Sequence, residues 1–284
     1  MKLLILFLSL LFEILKSEPP VVIHPTVWFG KIVGYLDKRL PPTLFFGGIT
    51  LMITVLFAYF LSKIPEFLPF PFKILAQAYL LYSTISIRSM VEHAKNCIHN
   101  DRILPENVQK IVSRDTSKLS DPQLCSAVIE SVSENFVDGV LSPLFYYALF
   151  GLEGALIYRA VNTCDAMLGY RTGKYERFGK IAARVDDVLN YIPSRLSLLL
   201  YALLSRRAIV CGIRKNPKLN GNSIAAMAGL LRVRLEKPGK YVIDCGREPS
   251  VQDVIKSIRY FVILSGISLI LTGLLIALLE MLKY

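Results

Sequence analysis

Acidic and amide side chains set at helical spacing beside apolar runs are where this chain could do chemistry. In ESVSENFVDG, Glu130, Glu134 and Asp138 recur every fourth residue, so a helix carries them along one face, with Asn135 beside them. In YRAVNTCD, Arg159, Asn162 and Asp165 follow at three-residue steps, again close to one face. A third cluster, RVDDVLNYIPSR, sets Arg184, Asp187 and Asn190 three apart, with Asp186 adjacent and Arg195 just beyond Pro193, a proline expected to kink a helix and aim Arg195 inward. Each face borders an apolar run, and the three are expected to converge on one site. Asp and Asn are poor helix formers, so their recurrence inside helical patterns asks for a reason. Ionisable groups at membrane segments are functional candidates, which sets this reading above capping or interfacial anchoring. Carboxylate and amide oxygens suit Mg²⁺, and the arginine fork suits phosphate. GYRTGK (Gly169–Lys174) ends like a phosphate-binding loop but has the wrong spacing and no following Ser or Thr, so any nucleotide binds by another geometry.

The elements that must position these residues are membrane-grade. Hydrophobic residues make up 53% of the 284-residue chain and charged residues 19%, too apolar for an ordinary soluble domain. Thr43–Ser62 carries no charge and Phe261–Leu282 carries only Glu280; either could cross roughly 30 Å of hydrocarbon. Leu3–Leu15 reads as a short retained first helix, because no small-x-small cleavage site follows it. Leu68–Ile87 reads as a third membrane helix. Lysines and arginines then place Lys31, Lys38 and Arg39 on the same side as Arg88–Lys118, the cytoplasm, with Lys63–Phe67 outside. A single crossing by Phe136–Tyr158 would put the basic stretch Arg159–Arg184 outside. Gly151 and Gly154 offer a turn at the midpoint, so a re-entrant helical hairpin is expected instead. The fold class that follows is mainly α: a polytopic integral membrane protein with about four spanning helices, this hairpin and cytosolic helical segments. It is read as a single membrane-embedded domain over 1–284. Membrane helices occupy 1–88, the polar site region 89–204, a basic cytosolic segment 205–257 and the last membrane helix 258–284. Pro105–Glu106 and SDPQ (Ser120–Gln123) mark helix starts.

The net charge of +11 lies mostly in the non-membrane segments, and no aromatic-basic module of a nucleic-acid reader accompanies it. The five cysteines are widely spaced and odd in number, so reduced thiols are expected rather than zinc or disulfides. His93, Cys97 and His99 are near enough to suggest a metal clip, but no fourth ligand lies close, and the reading as surface residues is preferred.

The stretch from Glu130 to Arg171, with YERFGKIAARVDDVLNYIPSRL, the upstream HPTVWFGK and the later NGNSIAAMAGLLRVRLEKPGKY, resembles the CobD/CbiB family of membrane-bound adenosylcobinamide-phosphate synthases. The resemblance runs from His24 to about Tyr241. It implies ATP-dependent amide ligation in cobalamin biosynthesis, joining adenosylcobyric acid to (R)-1-aminopropan-2-ol or its O-phosphate. It also implies a cell-membrane protein whose site faces the cytoplasm, with other pathway membrane proteins as partners. Under it, Asp186, Asp187 and Asn190 with Asp165 are the expected Mg²⁺ ligands. Arg159, Arg184 and Arg195, with Asn162 and Lys174, are the expected groups for ATP or ester phosphates. Glu134 or Asp138 would take the proton of the attacking amine if partial burial raises the carboxylate pKa. Asn135 and Tyr170 would position substrate or satisfy buried backbone; His24 would line the site or act structurally. The competing readings are a transporter whose polar faces line a path and a non-catalytic membrane assembly factor.

Overall fold

The computed structural model describes residues 1–170 and 173–282. The first helices are α1 (Lys2–Leu15), α2 (Pro25–Arg39), α3 (Leu44–Lys63), α4 (Phe72–Tyr82), α5 (Arg88–Asn96) and α6 (Pro105–Val108). The middle of the chain forms α7 (Asp121–Phe136), a π-helical turn Val137–Leu141, α8 (Ser142–Leu168), α9 (Tyr175–Phe178) and α10 (Lys180–Leu189). The remaining helices are α11 (Tyr191–Leu204), α12 (Arg206–Arg214), α13 (Asn222–Leu231) and α14 (Val251–Met281). Two antiparallel hairpins interrupt them, β1 (Ile98–His99) with β2 (Arg102–Ile103) and β3 (Arg234–Lys237) with β4 (Tyr241–Asp244). The protein is therefore mainly helical, and three of its helical stretches, Leu44–Phe67, Asp121–Leu168 and Val251–Met281, are long and apolar enough to cross a membrane.

Two expected membrane helices come out short. The 14 residues of α1 reach about 21 Å at ~1.5 Å per residue. Only 11 residues of the apolar stretch Leu68–Ile87 form α4. Pro69 and Pro71 delay its start, and the Ser83 and Thr84 hydroxyls turn back onto the Leu80 and Leu81 carbonyls at its end.

Contacts divide the chain into two compact units, each discontinuous in sequence. The first comprises Met1–Ser86, Ser142–Leu189 and the chain from Ile270 onward. Its core joins Val33 of α2 and Leu51 of α3 to Val161, Cys164 and Leu168 of α8, and to Phe178 and Ala182. Gly47 of α3 lies so close to the Phe178 carbonyl that any side chain there would strike it. Trp28 of α2 sits edge-on to Phe57 and donates its indole N–H to the Val22 carbonyl at 2.8 Å.

Within this unit α8 is two arms rather than one rod. Gly151 has φ 72° and ψ −158°, a conformation open essentially to glycine alone. The chain reverses there. The rings of Tyr146 and Tyr158 stack at 5.3 Å, whereas twelve residues of straight helix would separate them by about 18 Å. A methyl group on Gly154 would fall 2.6 Å from the Tyr146 carbonyl oxygen, so the arms meet only because that position has no side chain. The turn expected at Gly151 and Gly154 is therefore present in the backbone.

The second unit comprises Ile87–Leu141 and Asn190–Leu269. The SDPQ signal is fulfilled at the start of α7. Ser120 caps the helix, and Gln123 returns to the Ser120 N–H at 3.1 Å, an arrangement typically contributing about 1 kcal/mol. Phe136 packs edge-on against Tyr201 and Phe261. Helix α13 is buried nearly all round, with Ile224 through Ala228 inaccessible, so part of the segment read as basic and cytosolic is core. The expectation of five reduced thiols is corrected here. Cys211 on α12 and Cys245 after β4 are paired as a disulfide, with Cα atoms 6.5 Å apart across 34 residues of sequence. Folding brings together what spacing along the chain kept apart; Cys97, Cys125 and Cys164 are free and buried.

Candidate functional site

In the first unit, the second arm of α8 presents Arg159 and Asn162 one turn apart, and α10 supplies Asp186. Arg159 donates through Nη1 to Asn162 Oδ1 at 3.3 Å and through Nη2 to Ser86 Oγ at 3.1 Å. Asn162 passes the connection on, its Nδ2 donating to Asp186 Oδ1 at 3.3 Å. Asp186 is only 9% exposed, so this carboxylate is taken from water into a hydrogen-bonded chain ending on a guanidinium. His24, at the start of α2, has its Nδ1 buried without a hydrogen-bond partner. Burial, and then the positive charge of Arg159, hold its pKa below the ordinary imidazole value against a weaker pull from Glu18. Two of the three polar faces read from the sequence thus meet in one unit. Between the α8 arms, Tyr146, Phe150, Tyr158 and Leu189 line a cleft of about 310 Å³.

The third face, on α7, lies in the second unit and is saturated with cations. Glu130 is 2% exposed and accepts from Arg114, from Lys237 Nζ at 2.9 Å and from the Tyr241 hydroxyl at 2.6 Å. Burial and the Glu130 carboxylate both push the Tyr241 hydroxyl pKa upward, keeping it a donor. One turn on, Glu134 pairs with Lys218 from the loop between α12 and α13. Partial desolvation works against the half-exposed Lys218 ammonium, but Glu134, with Asp138 and Glu130 behind it, more than offsets this and raises its pKa. Asp138 sits in the π-helical turn, a distortion that helices often carry at functional positions. Glu134 therefore faces an ammonium rather than the apolar surroundings its expected role as a base requires.

The remaining expected residues are spread out. Asp187 is half-buried and Arg184 exposed, since successive positions on α10 point about 100° apart, while Asp186 accepts from Asn162. Asp165 lies one turn beyond Asn162, its carboxylate against the Gly169 backbone. Among the described residues, Asp165, Asp186 and Asp187 are not gathered into one metal-holding group. Asn190 is buried and belongs to the second unit. Arg195 lies 3.4 Å over the Tyr191 ring and donates to the Tyr191 carbonyl at 2.8 Å and to Asn220 Oδ1 at 3.4 Å. Pro193 falls in the first turn of α11, just after the helical run breaks at Asn190. Asn135 donates to the Ser131 carbonyl at 3.0 Å, Tyr170 is exposed beside Tyr175, and Lys174 pairs with Asp37 at 2.8 Å. Arg171 and Thr172, within GYRTGK, lie outside the described residues.

Sequence reasoning missed Arg114, Lys218, Lys237 and Tyr241 as functional contacts. Lys237 and Tyr241 stand in the long motif ending LEKPGKY, and Lys218 two residues before NGN, so the motif was their signal. Arg114 sits in a mixed-charge stretch with no periodicity to mark it.

Among the described residues, no three His, Cys, Asp or Glu side chains are grouped to hold a metal. Mg²⁺ commonly takes one or two carboxylates and completes its octahedron with water and phosphate oxygens. Asp186 faces the Asn162 Nδ2, and the Asn162 Oδ1 accepts from Arg159, so these two side chains make no all-protein cage.

Fold and side chains together define a class: a mainly helical protein with membrane-length helices and buried, hydrogen-bonded ionised groups. Comparison with known proteins narrows the class. The CobD/Cbib protein family matches residues 6–270. A protein of Archaeoglobus fulgidus named "Probable cobalamin biosynthesis protein CobD" is 51% identical over 274 residues, covering 94% of this chain and 92% of that one. Its namesake in Pyrococcus furiosus is 46% identical over 264 residues, covering 89% and 92%. Another, from Methanocaldococcus jannaschii, is 38% identical over 286 residues, covering 91% and 92%. No solved structure matches the chain. The chain belongs to the CobD/Cbib protein family.

Proposed function

We propose that this chain is a membrane-embedded enzyme of cobalamin biosynthesis. It would join a propionate of adenosylcobyric acid to the amine of (R)-1-aminopropan-2-ol or its O-phosphate, with cleavage of ATP. Family membership supports the pathway. The observation that carries the chemistry is the hydrogen-bonded chain Arg159–Asn162–Asp186, with Asp186 buried at its end.

In this reading Arg159 holds phosphate oxygens through its planar fork. Asp186 would hold a Mg²⁺ together with the Asn162 oxygen, which here accepts from Arg159, and the ion would supply charge neutralisation on the phosphates. Glu134 or Asp138 takes the proton that the substrate ammonium loses before its nitrogen attacks, Glu134 by exchanging its Lys218 partner. Apolar helices keep water from the activated propionate. The Gly151 hairpin is proposed to enter and leave the bilayer on one side, since the apolar run that starts at Phe136 turns back at Gly151 after about 22 Å of helix. Together with about four spans, that puts the basic segments, and the site, on the cytoplasmic face of the cell membrane.

The test is a mass-resolved assay of purified protein given adenosylcobyric acid, ATP with Mg²⁺, and aminopropanol phosphate. Wild type should form product only with ATP. Asp186→Asn should lower kcat by about 100-fold, and Asp187→Asn by less than about 10-fold. Equal effects of the two substitutions would remove Asp186 from its role. No product, where a reference synthase works, would bring the transport reading forward, to be checked by substrate accumulation in vesicles.

A further inference from the structure

The structure holds a second polar concavity that the ligase reading does not use, in the segment between α5 and α7. It is an open basin of about 470 Å³, within the size range of small-ligand sites. His93, His99 and Lys110 give it three nitrogen-bearing heads, and the carboxamides of Asn96 and Asn107 lie among them. Ile98, Leu104 and Ile111 form an apolar floor. Among the described residues no carboxylate lines it.

The basin is braced. Asn107 donates to the Asn96 carbonyl at 2.7 Å and accepts from Lys110 Nζ at 2.8 Å, which fixes the ammonium at the rim. The β1–β2 turn that carries His99 is tight, with Asn100 and Asp101 both at positive φ, and Leu104 N–H closes onto the Cys97 carbonyl at 2.8 Å. The far wall is tied to α7: Ser131 donates to the Ile111 carbonyl at 3.2 Å, one residue from Glu130, which holds Arg114.

The spacing His93–Cys97–His99 first suggests a metal, and the geometry argues against one. The Cys97 thiol is buried and donates to the His93 carbonyl at 3.3 Å. Burial pushes its pKa up to about 11 against the opposing charge of Lys110, so it is no thiolate ligand. A fixed ammonium in the lining repels a cation. An imidazole offers at least one N–H donor in either protonation state, and charge-assisted hydrogen bonds favour an anion with several acceptor oxygens. We infer that this basin binds a phosphate monoester, the phosphate among His93, His99 and Lys110 and a short carbon body on the apolar floor. Aminopropanol phosphate in the ligase reading is an ester of this kind, but the lining of this basin, and not that reading, carries the site.

The chain has three histidines, so carbon-13 labelled histidine gives one signal for each. The full chain in phosphatidylcholine nanodiscs is titrated with glycerol 3-phosphate. His93 and His99 should shift together and saturate, while His24 stays still and reports on folding. Lys110→Gln should weaken binding by at least about 10-fold, and Lys110→Arg should restore it to within a few-fold. Nanodiscs containing phosphatidic acid form the second arm. Shifts there without a response to the soluble ester would name a lipid headgroup as the source of the same chemistry. The inference is overturned if neither ester gives a saturable shift by about 10 mM, if Lys110→Gln binds as well as wild type, or if only Zn²⁺ moves both signals.

Discussion

Glu130 and Glu134 stand one turn apart on α7, but their surroundings differ. Glu130 is buried among two cations and a tyrosine hydroxyl, whereas the Lys218–Glu134 pair is 49% and 30% exposed. Removing one partner of a buried ion pair leaves the others uncompensated, so Glu130→Gln should cost about 3 kcal/mol. Glu134→Gln should cost under about 1 kcal/mol, as exposed pairs do. Thermal denaturation of both variants in one detergent checks the contrast; equal losses would overturn it. His24 gives a pH dependence. Its folded pKa lies below the unfolded value of 6.5, so as pH falls through that value the unfolded chain takes up the proton first. The stability present above about pH 6.5 is thus lost on acidification towards the folded value. His24→Gln should therefore lose less of its thermal midpoint than wild type between pH 7.5 and 5.5, where ~6.5 is the crossing point.

At the scale of the element, the reversal at Gly151 governs the first unit. Any other residue in that conformation is strained, so Gly151→Ala should cost about 1–3 kcal/mol. Gly266→Ala, on α14 with open space at its Cβ, is the control and should leave the midpoint unchanged or raised. Calorimetry of the pair reads the difference; an unaffected Gly151→Ala would mean the arms hold together without it. This turn was legible because two glycines interrupt an apolar run that is followed by a basic stretch. The start of α7 was legible because its capping residues are local. Helix α13 was not: its small apolar residues lie between basic stretches, and only packing shows that every side is covered. That the Asn162 face meets α10 was expected from the polar clusters, but their three-residue periodicity pointed to Asp187. The choice of Asp186 over Asp187 was not legible, since it depends on the rotation of α10 against α8.

For the whole molecule, the division into two interleaved units escaped the sequence, because the contacts tying Met1–Ser86 to Ser142–Leu189 rest on close packing at positions such as Gly47 that carry no motif. The Cys211–Cys245 pairing escaped it too, and is directly countable. Alkylation of the protein unfolded without reductant should add three labels, at Cys97, Cys125 and Cys164, and with reductant five. Five labels in both would remove the disulfide.

Trp28 is the one tryptophan of the chain, wedged against Phe57 in the first unit. Its emission therefore follows that unit alone, while circular dichroism sums over both. An unfolding curve read by fluorescence and one read by ellipticity will coincide if the two units melt as one body, and will separate if they do not. The indole thus serves as a built-in optical gauge of how cooperatively the halves are joined, with no label added.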